Sequence, residues 1–351
     1  MSRARSIALA SLLTALAATP ALSQQFEAFG NAARVSIGGR FNPQFAWSSV
    51  GAAENDFFIR RARLTFNLTV NDFIDARIEP DFAGTTSLRD AWVRFNFSDA
   101  FTLAAGQFKR GFDIFTLSSS VDLSLIERDG RVEGLSTCSG VGSVCSFGRF
   151  MESLQYADRD MGLRVEGASE RVSYIVTLTN GTGLNSADEN DTKSAAGRLT
   201  VALTDDVRLT SQLSLHDYVD ADGDATAIAF GGDVEVGTWR DGMHLQAGLV
   251  TGDNWMILDP SLDPASFLAM QGVVTYYMPM DGTRLIGVEP LARVSWADPD
   301  TDSDDDAGIV FTPGLMFYLV GRTKIGANLD IYSPQTGSQE TSLKIQTFLY
   351  Y

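Results

Sequence analysis

The chain has 351 residues, 44 Asp and Glu against 27 Lys and Arg, a formal net charge of −17 and a mean hydropathy of zero. A chain this acidic excludes nucleic acid as a partner, because that ligand demands a basic surface. Beyond the first residues no apolar run approaches the roughly 20 that a transmembrane helix needs.

Residues 1–23 have the layout of an export signal: Arg3 and Arg5 at the start, a short apolar stretch over 7–18, and Ala21, Leu22 and Ser23 before a cut at Gln24. No Cys follows that cut, which argues against a lipoprotein anchor. Residues 24–351 then read at period two almost throughout. Val35, Ile37, Phe41, Phe45 and Trp47 oppose Arg34, Ser36, Arg40, Asn42 and Gln44. Ala62, Leu64, Phe66 and Leu68 oppose Arg61, Arg63, Thr65 and Asn67. Ile74, Ala76 and Ile78 then oppose Asp75, Arg77 and Glu79, and Ala91, Val93, Phe95 and Phe97 oppose Asp90, Trp92, Arg94 and Asn96. Alternation continues at 161–165, 172–178, 199–203, 207–215, 243–249, 286–296, 323–331 and 343–351, and more weakly at 101–110, 226–236, 268–278 and 309–319. In the last run Leu343, Ile345, Leu349 and Tyr351 share one face, with Lys344 and Gln346 on the other.

These are 16 candidate strands. A soluble sandwich also buries one face, but its strands average about 5–6 residues. Strands of about 9–11 residues, with Arg, Asp and Asn through their centres, suit a transmembrane barrel around a wet lumen. A near-zero mean hydropathy agrees, since lipid-facing and water-facing residues cancel. The expected fold is all-β, a transmembrane antiparallel barrel of 16 strands whose last strand closes against its first. Trp47, Trp239, Trp255 and Trp296 are candidates for interface girdles, whereas the phase of Trp92 points it inward.

Residues 111–150 carry Gly and Ser with little alternation, as a functional loop would, and are expected to fold into the lumen. Cys138 and Cys145, the only cysteines, lie there, and in an exported chain they are expected to form a disulfide. His216 and His244 sit on polar strand faces. No serine elbow, metal pair or phosphate loop is present, so neither catalysis, metal nor cofactor is expected.

Several segments resemble the phosphate-selective porin O and P family. They are Phe58-Ile-Arg-Arg-Ala-Arg-Leu64 with Ile74-Asp-Ala-Arg-Ile-Glu-Pro80, then Leu88-Arg-Asp-Ala-Trp-Val93 with Ala105-Gly-Gln-Phe-Lys-Arg110. Leu123-Ser-Leu-Ile-Glu-Arg128, Arg159-Asp-Met-Gly162 and Thr179-Asn-Gly-Thr-Gly183 follow in order. The resemblance is good from Arg34 to Leu203 and holds only by pattern beyond. It implies a trimeric diffusion channel of 16 strands with an inward-folded loop. An arginine ladder and a lysine cluster are associated with anion passage in that family. Here Lys occurs only at 109, 193, 324 and 344, so a lysine cluster is missing and tight phosphate selectivity is not expected.

The candidate pore-lining, anion-attracting residues are Arg40, Arg61, Arg63, Arg77, Arg94, Lys109 and Arg110. Arg stays charged and offers a planar fork to phosphate or carboxylate. The bland alternative pairs these side chains with Asp75, Glu79, Asp81 and Asp90 as lumen salt bridges. Residues 24–170 hold 15 Lys and Arg against 19 Asp and Glu, and residues 171–351 hold 10 against 25. Much of that excess lies at 217–224 and 298–306, which read as solvated loops or, alternatively, as sites for cations bridging lipopolysaccharide. The expected function is a passive outer-membrane porin for small hydrophilic solutes, with weak to moderate anion preference. It would sit as a homotrimer among lipid and lipopolysaccharide. The alternative is a receptor or adhesin barrel that binds a partner through its outer loops.

Overall fold

The structure, a computed structural model, describes residues 24–28, 33–50, 55–128, 138, 144–188, 190–220, 223–258 and 263–351. The expected export signal, residues 1–23, lies outside the described residues. In chain order the strands are β1 (Gln24–Ala28), β2 (Ala33–Ser48), β3 (Asn55–Thr69), β4 (Ile74–Asp81), β5 (Ser87–Ser98), β6 (Phe101–Lys109), β7 (Arg159–Ala168), β8 (Val172–Thr179) and β9 (Ser194–Ala202). There follow β10 (Val207–Val219), β11 (Asp224–Thr238), β12 (Asp241–Leu258), β13 (Pro264–Tyr276), β14 (Met278–Pro279), β15 (Gly287–Asp298), β16 (Gly308–Tyr318), β17 (Lys324–Pro334) and β18 (Glu340–Tyr350).

Each strand pairs antiparallel with its sequence neighbour, and β18 returns to β2. The two-residue β14 prolongs β13 along β15, and β1 adds to the start of β2. The result is a closed 16-stranded antiparallel barrel. Closure runs to the last residue, where Gly39 N–H donates to Tyr351 O at 2.9 Å and Tyr351 N–H to Gly39 O at 3.2 Å.

Alternation sorts the side chains as barrel geometry requires. Phe41, Trp47, Val93, Leu163, Phe230, Val294 and Ile345 face outward and are exposed, whereas Arg40, Asn42, Arg63, Glu79, Arg293 and Lys344 are buried inside. Two expected girdle residues are corrected here. Trp239 and Trp255 turn inward and pack against buried side chains. Trp255 donates to Leu154 O at 3.0 Å and stacks on Tyr218, since the inner wall there meets protein, not water.

That protein is the segment joining β6 to β7, which includes two short helices, α1 (Ile114–Leu117) and α2 (Phe147–Ser153). Asp113 caps α1, accepting from Phe115 N at 3.0 Å and Thr116 N at 2.9 Å. Ser146 caps α2. Phe112, Phe115, Phe147, Phe150, Leu154 and Tyr156 form a core with Ala227, Ala229, Val250, Phe267, Ala269 and Val310 of the far wall. Phe150 meets Phe267 at 5.4 Å and Phe115 meets Phe147 edge-on at the same distance. Polar clamps fix the register: Ile126 N–H donates to Asn328 Oδ1 at 2.8 Å and Phe147 N–H to Ser295 Oγ at 2.9 Å. Within this segment Cys138 and Cys145 are joined, with sulfurs 2.10 Å and Cα atoms 4.9 Å apart. Gly308 makes room for them, because a Cβ there would stand 2.8 Å from Cys145 Cβ.

The inward segment therefore lines the wall from β10 to β17. On the opposite side, among the described residues, a cavity remains along the wall from β2 to β8.

Candidate functional site

Two strand irregularities shape the open side. In the β2–β3 pairing Asn42 faces Arg61 and Pro43 faces Ile59, which leaves Arg60 as an extra residue. In the β4–β5 pairing Glu79 faces Asp90 and Pro80 faces Leu88, which leaves Arg89 extra. Both bulges sit opposite a proline. A proline has no N–H to complete the ladder, so the facing strand can accept an additional residue there. A bulge re-aims a side chain, and here Arg60 joins Arg61, and Arg89 joins Asp90, in lining one cavity.

That cavity has a volume of about 630 Å³ and lies between the inward segment and the wall from β2 to β8. Ten arginines and one lysine line it, against six carboxylates. Of the candidates named from sequence, Arg40, Arg61, Arg63, Arg77, Arg94 and Lys109 are brought together here. Arg110 is not. It is buried behind the inward segment, where it donates to Gln155 O at 2.5 Å, Leu215 O at 2.8 Å and Ser214 Oγ at 3.2 Å. Arg110 thus ties the end of that segment to the barrel wall.

Many of the lining arginines are paired. Arg40 meets Glu79 at 2.8 Å and also donates to Ser120. Arg63 meets Asp81 at 2.5 Å and Glu79 at 3.3 Å. Arg94 meets Asp75 at 3.1 Å and lies 5.3 Å from the Trp92 ring, which also faces the cavity. Arg159 meets Asp90 at 2.6 Å. Others make no close ion pair among the described residues, although carboxylates stand near them. Lys109 donates to the carbonyls of Thr116, Leu117 and Ser118 at 2.5, 3.3 and 3.1 Å. Arg128 donates to Phe115 O at 2.8 Å and Ser118 O at 2.6 Å. Arg89 keeps a buried Nε with no hydrogen-bond partner. The lining therefore carries five more cations than carboxylates, or three more once Glu79 and Asp75, which pair with lining arginines, are included.

Sequence reasoning missed Arg60, Arg89, Arg128, Arg159 and Arg164. Strict alternation assigns Arg60 and Arg89 to the outer face, and only the prolines across the ladder signal the bulges. Arg128 belongs to a segment without period. Arg159 and Arg164 were legible as basic residues of a strand but not as neighbours of the first five strands.

The two histidines are packed in structural contacts, His216 against Trp255 at 4.9 Å between ring centres and His244 on Glu235 at 2.9 Å. Among the described residues no group of three or more His, Cys, Asp or Glu could hold a metal ion.

The acidic runs lie apart from this cavity. At the loop between β15 and β16, burial and then the carboxylates of Asp298 and Asp300 push the Asp306 carboxyl up to about 6. A raised carboxyl binds its proton more readily folded than unfolded, so this loop gains stability as pH falls through about 6 and loses it as pH rises. A carboxyl 13C titration of Asp306 is expected to show its midpoint near 6, moving downward in Asp298→Asn. A midpoint at the ordinary value near 4 would remove the coupling.

Residues 48–206 match the phosphate-selective porin O and P family. The stretch that matches contains the two bulges and nearly all of the cavity's lining. No curated protein matches the chain. Among solved structures, the outer membrane channel DcaP of Acinetobacter baumannii is similar at 15% identity, covering 92% of this chain and 99% of its own, with a TM-score of 0.60. The anion-selective porin from Comamonas acidovorans is similar at 12% identity, covering 91% and 100%, with a TM-score of 0.65. OmpT of Vibrio cholerae, in its trimer form, is similar at 10% identity, covering 91% and 100%, with a TM-score of 0.63. These likenesses establish the porin barrel fold.

Proposed function

We propose that this chain is an outer-membrane porin, a passive channel for small hydrophilic solutes with weak to moderate preference for anions. The observation that carries the reading is the cavity with eleven cations and six carboxylates against the wall from β2 to β8. A pore selects by the charges that line its water. A charge 4 Å from a passing ion contributes about 1 kcal/mol even at the dielectric of water. The matched family and the anion-selective Comamonas porin support the direction of the preference. The segment between β6 and β7 is the constriction. The short turns would face the periplasm and the longer, acidic loops the exterior, among lipid and lipopolysaccharide. Export by residues 1–23 and assembly as a homotrimer belong to the same reading, the latter supported by the trimer form of the similar OmpT.

Reversal potentials across a salt gradient in planar bilayers test it. Wild type is expected to favour chloride over potassium. Arg89→Gln is expected to reduce that preference by about twofold to fivefold, the effect of about 0.4–1 kcal/mol, because among the described residues Arg89 forms no close ion pair, the carboxylates of Asp81, Glu152 and Asp158 standing farther off. Arg61→Gln with Arg63→Gln is expected to move the potential the same way. A wild-type channel that prefers cations would overturn the anion assignment.

A further inference from the structure

Of the loop carboxylates in the cavity's lining, Glu127, Glu152 and Asp158, Glu127 is the one held by the arginines of β3. Glu127 accepts from Arg60 twice, Oε1 from Nε at 2.5 Å and Oε2 from Nη2 at 3.0 Å, and its Oε2 also accepts from Arg61 at 3.5 Å. This is the two-pronged geometry by which a guanidinium takes a solute carboxylate or phosphate. The bulge that turns Arg60 beside Arg61 creates the fork. The backbone of Glu127 is held from the other side, where Arg293 donates to Glu127 O at 3.1 Å and Arg128 O at 2.8 Å. Arg60 and Arg61 hold the Glu127 carboxyl far down at about 2 against the opposing effect of burial, so it stays ionised at neutral pH.

We propose that Glu127 sets the affinity of the channel for oxyanions by occupying the Arg60 and Arg61 fork as the protein's own carboxylate. The proposal rests on the cavity being the diffusion path. A fork of two guanidinium groups left open in a confined lumen would retain phosphates and carboxylates, and a site that binds too firmly stops conduction. With Glu127 in place, a passing oxyanion meets the general positive potential of the wall but not the bidentate site. Throughput then comes at the expense of tight binding, in keeping with a channel that lacks a lysine cluster. Glu127 is thus a specificity-determining residue on the loop, and Arg293 is the positioning residue that presents it.

The test is block of chloride current by added inorganic phosphate through the purified protein in planar bilayers. Glu127→Gln is expected to lower the blocking concentration by about tenfold, because the amide offers one acceptor and turns an N–H2 toward the guanidinium groups. Adding Arg60→Gln to that variant is expected to return block to the wild-type concentration. Glu152→Gln removes equal charge from the lining of the same cavity and is expected to shift the reversal potential without enhancing block. Unchanged block in Glu127→Gln, equal enhancement in Glu152→Gln, or enhancement that survives Arg60→Gln would each overturn the proposal. If Glu127→Gln fails to assemble, Glu127→Asp, whose carboxylate is one methylene short of the fork, is expected to enhance block by about threefold, and its failure to do so overturns the proposal equally. A wild-type protein with no conductance would instead overturn the porin reading itself.

Discussion

Deletion of residues 343–351 is expected to leave no folded barrel in the membrane. That stretch is most of β18, which pairs with β17 at nine register positions and with β2 at seven. Its loss opens β17 and β2 as unpaired edges. In a bilayer no water replaces the missing partners, and each unsatisfied backbone group costs several kcal/mol. Open edges also pair with other chains. The expected outcome is an outer-membrane fraction without the protein and without the heat-shifted gel band of a folded barrel. Deleting Tyr351 alone removes only the two bonds to Gly39 and is expected to reduce assembly less. Normal membrane levels of the longer truncation would show that β18 is dispensable for closure.

Arg293→Met is expected to have the largest effect among single substitutions, and to act on the loop more than on the barrel. Arg293 is buried on β15. It meets Asp330 at 2.8 Å, donates to Thr312 Oγ1 at 2.8 Å, and holds two carbonyls of the inward segment. Lys344 is paired to the same Asp330. Methionine fills the volume but leaves those two carbonyls without their donor, and Asp330 with one cation in place of two. Removing one partner of a buried ion pair costs about 3–5 kcal/mol, and each orphaned carbonyl about 1–3 kcal/mol. The barrel ladder does not pass through this side chain, so the heat-shifted band should persist. The segment at Glu127 should loosen, and single-channel records should show higher and noisier open current. Quiet, wild-type conductance in a folded Arg293→Met channel would show that the aromatic core around Phe150 holds the segment unaided.

The strands were legible because a strand that separates lipid from water is written twice over, once on each face. All 16 periodic runs correspond to strands of the barrel. Three of the four weakly periodic ones share a setting, whereas the fourth, 101–110, is β6 and lines the cavity. The runs at 226–236, 268–278 and 309–319 belong to β11, β13 and β16, whose inner faces carry Ala227, Ala229, Ala269, Val273, Val310 and Met316 beneath the inward segment. Where the lumen wall meets protein and not water, it becomes apolar on both sides and period two fades. The same cause reversed the girdle assignment of Trp239 and Trp255.

The site was legible only in part. Lumen-facing arginines could be named from phase, and six of the seven named share one cavity. Arg110 could not be told from them, since a buried structural guanidinium and a pore-lining one have the same phase. Arg60 and Arg89 were hidden by bulges, which shift phase by one residue and need the prolines on partner strands to be seen. By itself the sequence determined the strand number, the alternation of faces and the class of wall charge, because these follow from local periodicity against two solvents. Only the tertiary structure decided which wall the cavity follows, which lining arginines form close ion pairs, and that Glu127 closes the Arg60 and Arg61 fork. Those outcomes depend on where an aperiodic segment docks, and that is set by contacts between residues far apart in the chain, Phe150 with Phe267 and Arg293 with the Glu127 carbonyl.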